Sequence, residues 1–351
     1  MKAWAVVEAG APLEEIDVPT PEPTGTEVVV EVTHCGVCHS DLHFWKGEYN
    51  MGGGKVMKIT DRGVTLPRAP GHEIAGRVVA VGPDARGVKV GDVRVVYPWL
   101  GCGHCAACLA EQDNMCLAQR SLGVVQHGGF ASHVKVPHAR YLVDPGDVDL
   151  GLAATYACSG ISVYSALRKV MPIAPTEPIV LIGAGGLGLM GVAMLKAFGH
   201  ETIISVDTDP DKRAAAIAEG ATAVVDGTGE DVSARILEAA GGPVQAVIDF
   251  VNISATARAG LDVLAKGGRL ILLGMSGGEI TLSLAAMVFR AHSIQGSNTG
   301  NLQDLRDVLA LANTGKLKPT PIHICPRHDA NQAMMDLHHG RVTGRIVLND
   351  G

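Results

Sequence analysis

Ile179-Val180-Leu181-Ile182-Gly183-Ala184-Gly185-Gly186-Leu187-Gly188 is the stretch on which the fold turns. Its first four residues read as a short buried strand. The apolar segment after the glycines, ending near Lys196-Ala197-Phe198-Gly199, reads as a helix. A strand, a G-x-G-x-x-G turn and a helix form the context that a dinucleotide-binding turn requires. In a chain with 44 glycines the pattern alone would be weak, and a merely structural turn is its bland alternative. Gly183 would permit the tight turn, Gly185 would let backbone approach a pyrophosphate, and Gly188 would let the helix pack on the strand. The diphosphate would sit at the positive end of that helix.

Pro178 to Leu195 carries no charge and reaches the length at which a membrane span is suspected. Its five glycines and its strand-like first half fit a strand, turn and helix better.

Working outward, residues 158–295 keep one rhythm. Strands are predicted at Ile179–Ile182, Thr202–Val206, Ala223–Val225, Ala246–Phe250, Arg269–Leu273 and Ser293–Gln295, with helices such as Asp211–Glu219 and Ser233–Ala240 between them. Such alternation predicts βαβ units and a doubly wound parallel sheet. Residues 1–157 are instead β-rich, with short runs such as Glu27–Val32 and Gly76–Val81 bounded by turns. The tail 296–351 mixes a helix (Leu302–Thr314) with a last strand (Gly344–Leu348) and is expected to return to the first domain. The class is therefore α/β with two domains.

The strand Thr202–Val206 ends at Asp207, close to the spacing of about 20 residues expected after the first glycine. A carboxylate there would accept from both adenosine ribose hydroxyls and repel a 2′-phosphate, so the cofactor is predicted to be NAD. The alternative, a helix cap, suits Asp209 better.

Cys102-x2-Cys105-x2-Cys108-x7-Cys116 is the most specific pattern in the chain. Four thiolates at this spacing can close a tetrahedral zinc and leave no open position. An iron–sulfur cluster is the competing reading. Cys35-Gly36-Val37-Cys38-His39 admits three readings: a c-type haem attachment, a redox dithiol, or a ligand at Cys38 followed by a proton path. Gly71-His72-Glu73 and Cys158 offer further donors, each with a bland alternative as buried core. Spacing alone cannot assemble such distant residues.

Composition narrows the classes. A net charge of −7 and 4% aromatics argue against nucleic acid as a partner. No apolar core of a signal peptide is legible at the N-terminus, so a cytoplasmic location is the default and haem attachment recedes. Eight cysteines then suggest metal or catalysis before disulfides.

With these motifs placed, the chain resembles the zinc-dependent medium-chain alcohol dehydrogenases along nearly its whole length. Gly71-His72-Glu73-Ile74-Ala75-Gly76, Cys38–His43, the four-cysteine lobe and the nucleotide turn are similar to the family's motifs. Asp61–Pro67, Tyr97-Pro98-Trp99 and Cys158-Ser159-Gly160-Ile161 look most like its NAD-linked, broad-specificity, homotetrameric microbial branch. The resemblance implies a GroES-like catalytic domain (1–157 and 296–351, with the metal lobe at about 97–120) and a Rossmann NAD-binding domain (158–295). It implies two zinc ions: a catalytic one on Cys38, His72 and Cys158, and a structural one on Cys102, Cys105, Cys108 and Cys116. Glu73 would stand behind the catalytic metal as an occasional ligand, and Asp41 would orient His72. Ser40 and His43 would relay the proton. His39, Lys212 and Arg345 would join Gly183, Gly185, Gly188 and Asp207 in holding the cofactor. Trp99, Trp45, Asn298 and Thr299 would line a substrate pocket expected to be apolar.

The implied activity is reversible, NAD-linked oxidation of primary or secondary alcohols to aldehydes or ketones. A carbonyl reductase or polyol dehydrogenase on the same scaffold is the alternative, although relatives acting on polyols usually carry a carboxylate in place of Cys158. A non-enzymatic binding protein is a third reading. It need not retain Cys38, His72, Cys158, Ser40 and His43 together. A small-molecule substrate, no membrane association and a homotetramer (or homodimer) are expected.

Overall fold

The structure is a computed structural model that describes residues 1–350. The strand Ile179–Ile182 forms as predicted, with all four side chains buried. Ile179 and Leu181 enter one core layer, and Val180 and Ile182 the other. That division is the two-residue period of a strand buried on both faces. Six parallel strands build this sheet in the order Ala223–Asp226, Ile203–Asp207, Ile179–Ile182, Val244–Asp249, Leu264–Leu272, Ser293–Gly296. Counted along the chain the order is 3-2-1-4-5-6, the Rossmann arrangement, with its reversal beside Ile179–Ile182. Leu264–Leu272 starts ahead of the expected Arg269 because Leu264 pairs with Val244 before a register shift.

Pro178–Leu195 is therefore strand, turn and helix, the helix running Gly186–Ala197. A different segment passes the membrane-length test. Leu150–Val170 is a 21-residue apolar helix, but 89% of its apolar window is buried inside the protein. It runs from Leu150–Thr155 through one π-helical turn, Tyr156–Gly160, into Ile161–Val170.

A second sheet of seven strands is mostly antiparallel. Its path is Ile322–Pro326, Arg345–Asn349, Val28–Val37, Glu73–Val81, Val93–Val96, Leu142–Val143, and His133–Val136 also pairs with Val28–Val37. The two strands of the C-terminal segment thus complete a sheet begun by the N-terminal one. Val347 lies opposite Gly36, and Leu348 opposite Cys35.

Candidate active site

Three segments that are far apart in sequence meet where the helix Leu150–Val170 packs on the seven-stranded sheet. The first is the start of the helix His39–Lys46, capped by Cys38. Asp41 Oδ2 accepts from the Cys38 N–H at 2.9 Å, a favourable place for an anion on a helix dipole. The second is the turn before Glu73–Val81, where Asp41 Oδ1 accepts from Gly71 N–H at 2.9 Å and lies 3.3 Å from His72 Nδ1. One buried carboxylate therefore positions both Cys38 and His72. The third is the π-turn carrying Cys158. There Ser159 gives its N–H to Glu73 Oε1 at 3.1 Å, and its hydroxyl fills the Thr155 carbonyl at 2.7 Å. Diverting that N–H from the helix ladder accounts for the π-turn, a deformation frequent at functional sites.

The donor atoms of Cys38, His72 and Cys158 lie within 4.8 Å of one another, and all three residues are buried. Among the described residues His72 Nε2 has no hydrogen-bond partner, an arrangement that costs stability unless something coordinates it. A hydrogen bond from Cys158 holds the Cys38 thiol well below its ordinary pKa, against the opposing effect of burial. That same bond, with burial, pushes Cys158 up. Burial lowers the His72 pKa, but Asp41 and Cys38 outweigh it and raise the group well above its usual value. Two thiols sharing a proton beside an oriented imidazole fit a divalent soft-to-borderline metal such as zinc, with one position left open.

Glu73 lies outside this donor cluster. Its Oε2 takes Arg345 Nη2 at 2.5 Å, and both side chains are almost fully buried. Gly36 is what makes room for it, since a Cβ there would collide with Glu73 Oε2. Arg345 also packs its Cδ where a Gly186 side chain would go. One guanidinium therefore spans Glu73 and the nucleotide turn.

In that turn Gly183 adopts φ +99°, and a Cβ on Gly188 would collide with the Gly183 carbonyl. Gly185 faces open space, with nothing within 4 Å of an added Cβ. Asp207 ends its strand, accepting from Ala184 N–H at 2.7 Å and Asp209 N–H at 2.9 Å. Asp209, not Asp207, caps the helix Pro210–Glu219, as its position in the sequence suggested. Arg213 donates to the Asp207 carbonyl and lies 3.4 Å from Asp226.

A cavity of about 890 Å³ connects these parts. Its wall includes His39, Ser40, His43, Gly183, Gly185, Gly188, Asp207, Lys212, Arg345, Asn298 and Thr299. Ser40 Oγ is 3.6 Å from Cys38 Sγ. His43, one turn along the same helix face, stacks on Tyr49 with centroids 5.4 Å apart. Burial and Lys46 lower the His43 pKa, so the ring is neutral at pH 7 and able to accept a proton.

Two pocket expectations need correction. Trp45 is absent from the wall: it follows His43 by two positions and so points to the opposite helix face. There its indole donates to the Ala11 carbonyl at 2.6 Å and its edge meets His338. Trp99 does not reach the wall either. It packs on His72 with centroids 5.2 Å apart. Cys35 is fully buried beside Gly71 and Gly129 and joins no donor cluster.

Sequence reading missed Gln112, Asn114, Met115, Ser162 and Lys169, which also line the cavity. Ser162 was within reach, because it follows Cys158 by one helical turn. Gln112–Met115 lie between Cys108 and Cys116, and only the folded lobe shows that this loop faces inward. The four lobe cysteines converge, with Cys105 and Cys108 Sγ 3.5 Å apart and Cys102 and Cys108 Sγ 3.9 Å apart.

Residues 24–145 match the alcohol dehydrogenase GroES-like domain, and 186–314 the zinc-binding dehydrogenase family. An NAD-dependent alcohol dehydrogenase of Sulfurisphaera tokodaii is 35% identical over 99% of each chain. A D-arabinose 1-dehydrogenase (NADP(+)) of Saccharolobus solfataricus is 34% identical over 99% of this chain and 97% of its own. The crystal structure of the alcohol dehydrogenase from Aeropyrum pernix superposes with a TM-score of 0.90 at 31% identity, covering 99% of this chain and 100% of that one.

Proposed function

Because the chain belongs to the zinc-dependent medium-chain alcohol dehydrogenases, we propose that it oxidises primary or secondary alcohols reversibly with NAD. The observation that carries this reading is the buried Cys38–His72–Cys158 cluster opening onto the same cavity as the nucleotide turn. These three residues would hold a catalytic zinc, and Cys102, Cys105, Cys108 and Cys116 a structural one. When bound, the zinc supplies Lewis acidity toward the alcohol oxygen, and NAD supplies the hydride acceptor.

The remaining work falls to the chain's own groups. Asp41 fixes His72 and the Cys38 backbone in one orientation. Ser40 Oγ takes the alcohol proton and passes it toward His43, whose depressed pKa leaves it ready to receive it. Arg345 pairs with Glu73 and would so hold that carboxylate away from a bound metal, while its stem borders the diphosphate turn. Asp207 and Lys212 would hold the adenosine ribose, and a carboxylate at Asp207 would disfavour a 2′-phosphate. His39, exposed on the cavity wall, would contact the diphosphate.

The D-arabinose dehydrogenase relative favours a second reading, oxidation of a polyhydroxylated substrate on the same scaffold. A homotetramer in the cytoplasm is also proposed. Exposed Leu284, Val288 and Phe289 beside the sheet-edge strand Ser293–Gly296 support self-association. Six of the eight cysteines lie in the two donor clusters, which suits a reducing compartment. The direct test is Cys38→Ser. Turnover of every alcohol should vanish and one metal per chain be lost, while NADH binding persists. Turnover at the wild-type rate in a zinc-depleted Cys38→Ser protein would refute the proposal.

A further inference from the structure

One side of the cavity is a single face of the helix Ile161–Val170 and the π-turn before it. Cys158, Ser162, Ser165 and Lys169 all line the cavity, and their spacing puts them on one stripe. The Lys169 stem folds back toward Cys158, as side chains on a helix lean toward its N-terminus. Its Nζ donates to Ser165 Oγ at 2.7 Å and to the Ser165 carbonyl at 3.2 Å. It also donates to Ser297 Oγ at 3.0 Å, just past the strand Ser293–Gly296. Ser297 is buried and gives its own N–H to the Leu272 carbonyl at 2.8 Å. The ammonium is thereby fixed at the C-terminal ends of two neighbouring strands of the parallel sheet.

This charge has no counter-ion. Among the described residues no carboxylate oxygen lies within 4.0 Å of Lys169 Nζ, and its acceptors are neutral. Asp304 and Arg168 are the charged side chains that act on it, and they are paired with each other at 2.5 Å. Arg269 adds further positive charge, its Nη1 donating to the Lys169 carbonyl at 3.0 Å. Lys169 is half-buried, and burial lowers its pKa. A cation held partly out of water without a counter-charge costs free energy, a cost that an apolar side chain of the same length would avoid.

A cofactor with its diphosphate on Gly183–Gly188 must bring its nicotinamide ring within hydride reach of an alcohol at the metal donors. The ring therefore belongs on the stretch of wall that Lys169 and Ser297 help to form. The oxidised ring carries a positive charge, and the reduced ring carries none. We infer that Lys169 sets the preference of the site between the two redox states of its cofactor, the anchored ammonium disfavouring NAD⁺ relative to NADH. This role acts through space on the ring and rests on the dehydrogenase reading above.

The test is calorimetric binding of NAD⁺, NADH and ADP-ribose to the zinc-loaded protein, which needs no turnover. Lys169→Met removes the charge. Lys169→Gln removes it but keeps a donor for Ser297, and Lys169→Arg keeps both. In the Met and Gln variants NAD⁺ should gain about fivefold to tenfold in affinity relative to NADH, the effect of one charge at roughly 10 Å reduced by salt. The Arg variant should keep the wild-type ratio. ADP-ribose, which lacks the ring, should bind all four proteins alike. An unchanged ratio in both neutral variants, an equal loss for both redox forms, or a matching change for ADP-ribose overturns the inference. A wild-type protein that binds neither redox form sinks it together with the dehydrogenase reading. If the ratio shifts as stated while no alcohol turns over, the role of Lys169 stands and the dehydrogenase reading fails.

Discussion

The two metal-type clusters are built from the same chemistry in opposite ways. Cys102, Cys105, Cys108 and Cys116 come from one short stretch, and two of them remain partly exposed. Cys38, His72 and Cys158 come from three segments, and every one is buried. The lobe closes on itself across short loops, which costs little chain entropy. The central cluster exists only when the helix carrying Cys158 is docked against the strands beside Cys38 and His72. A locally closed site serves stability, whereas a site assembled at a junction can leave a position open to a ligand.

The contrast can be broken by removing one donor from each cluster. Cys158→Ser should abolish alcohol turnover and lower the zinc count by one, with thermal unfolding close to wild type. Cys105→Ala should lower the zinc count equally but cost several kcal/mol of stability, since closed zinc sites contribute on the order of 10 kcal/mol to small domains. Calorimetry and metal analysis read both variants together. Equal destabilisation would erase the distinction.

A milder change sharpens it. Asp41→Asn keeps every donor but weakens the orientation of His72, so zinc affinity at the central site should fall by about 10–100-fold. Competition with a chelator would detect this, and the lobe should hold its metal unchanged. Asp207→Gly should leave both metals in place and shift preference toward NADP by about tenfold, measured as the ratio of kcat/KM for the two cofactors.

The smallest effect concerns pH. His127 Nδ1 accepts from the Ala69 N–H at 3.1 Å, on the turn that delivers His72, and it must be neutral to do so. Burial and the Arg68 charge lower its pKa from the ordinary 6.5. The unfolded chain therefore takes up the proton first. This contribution to stability is complete above pH 6.5 and fades as pH falls through the lowered folded value. Its loss should cost about 1 kcal/mol, one hydrogen bond. Urea unfolding at a series of pH values should show His127→Gln losing part of the acid sensitivity. An unchanged slope would leave His127 without this role.

What could be read from sequence follows the same division. The lobe was legible because its donors are neighbours in the chain. The Rossmann half was legible because Ile179–Ile182 and Gly183–Gly188 carry their own geometry. Cys38, His72 and Cys158 joined only through resemblance, since nothing local in each says that the others are near. Trp45 was misplaced because its distance from His43 reverses the helix face, a fact hidden until the helix is drawn. Ser162 shows the converse. Its alignment with Cys158 was available from helical spacing, but a serine in an apolar helix gives no cue by itself.

The ion pair of Arg345 with Glu73 joins residues 272 positions apart. Arg345 begins the strand that closes the seven-stranded sheet against Val28–Val37. A ribosome makes that strand after every strand of the parallel sheet. Until then Glu73 is without its counter-charge and Val28–Val37 without one of its neighbours, although the parallel-sheet half has all its strands. Completion of the reactive centre thus waits for Arg345. A message truncated before codon 345 would yield a protein with a nucleotide turn and a metal lobe but no finished pocket between them.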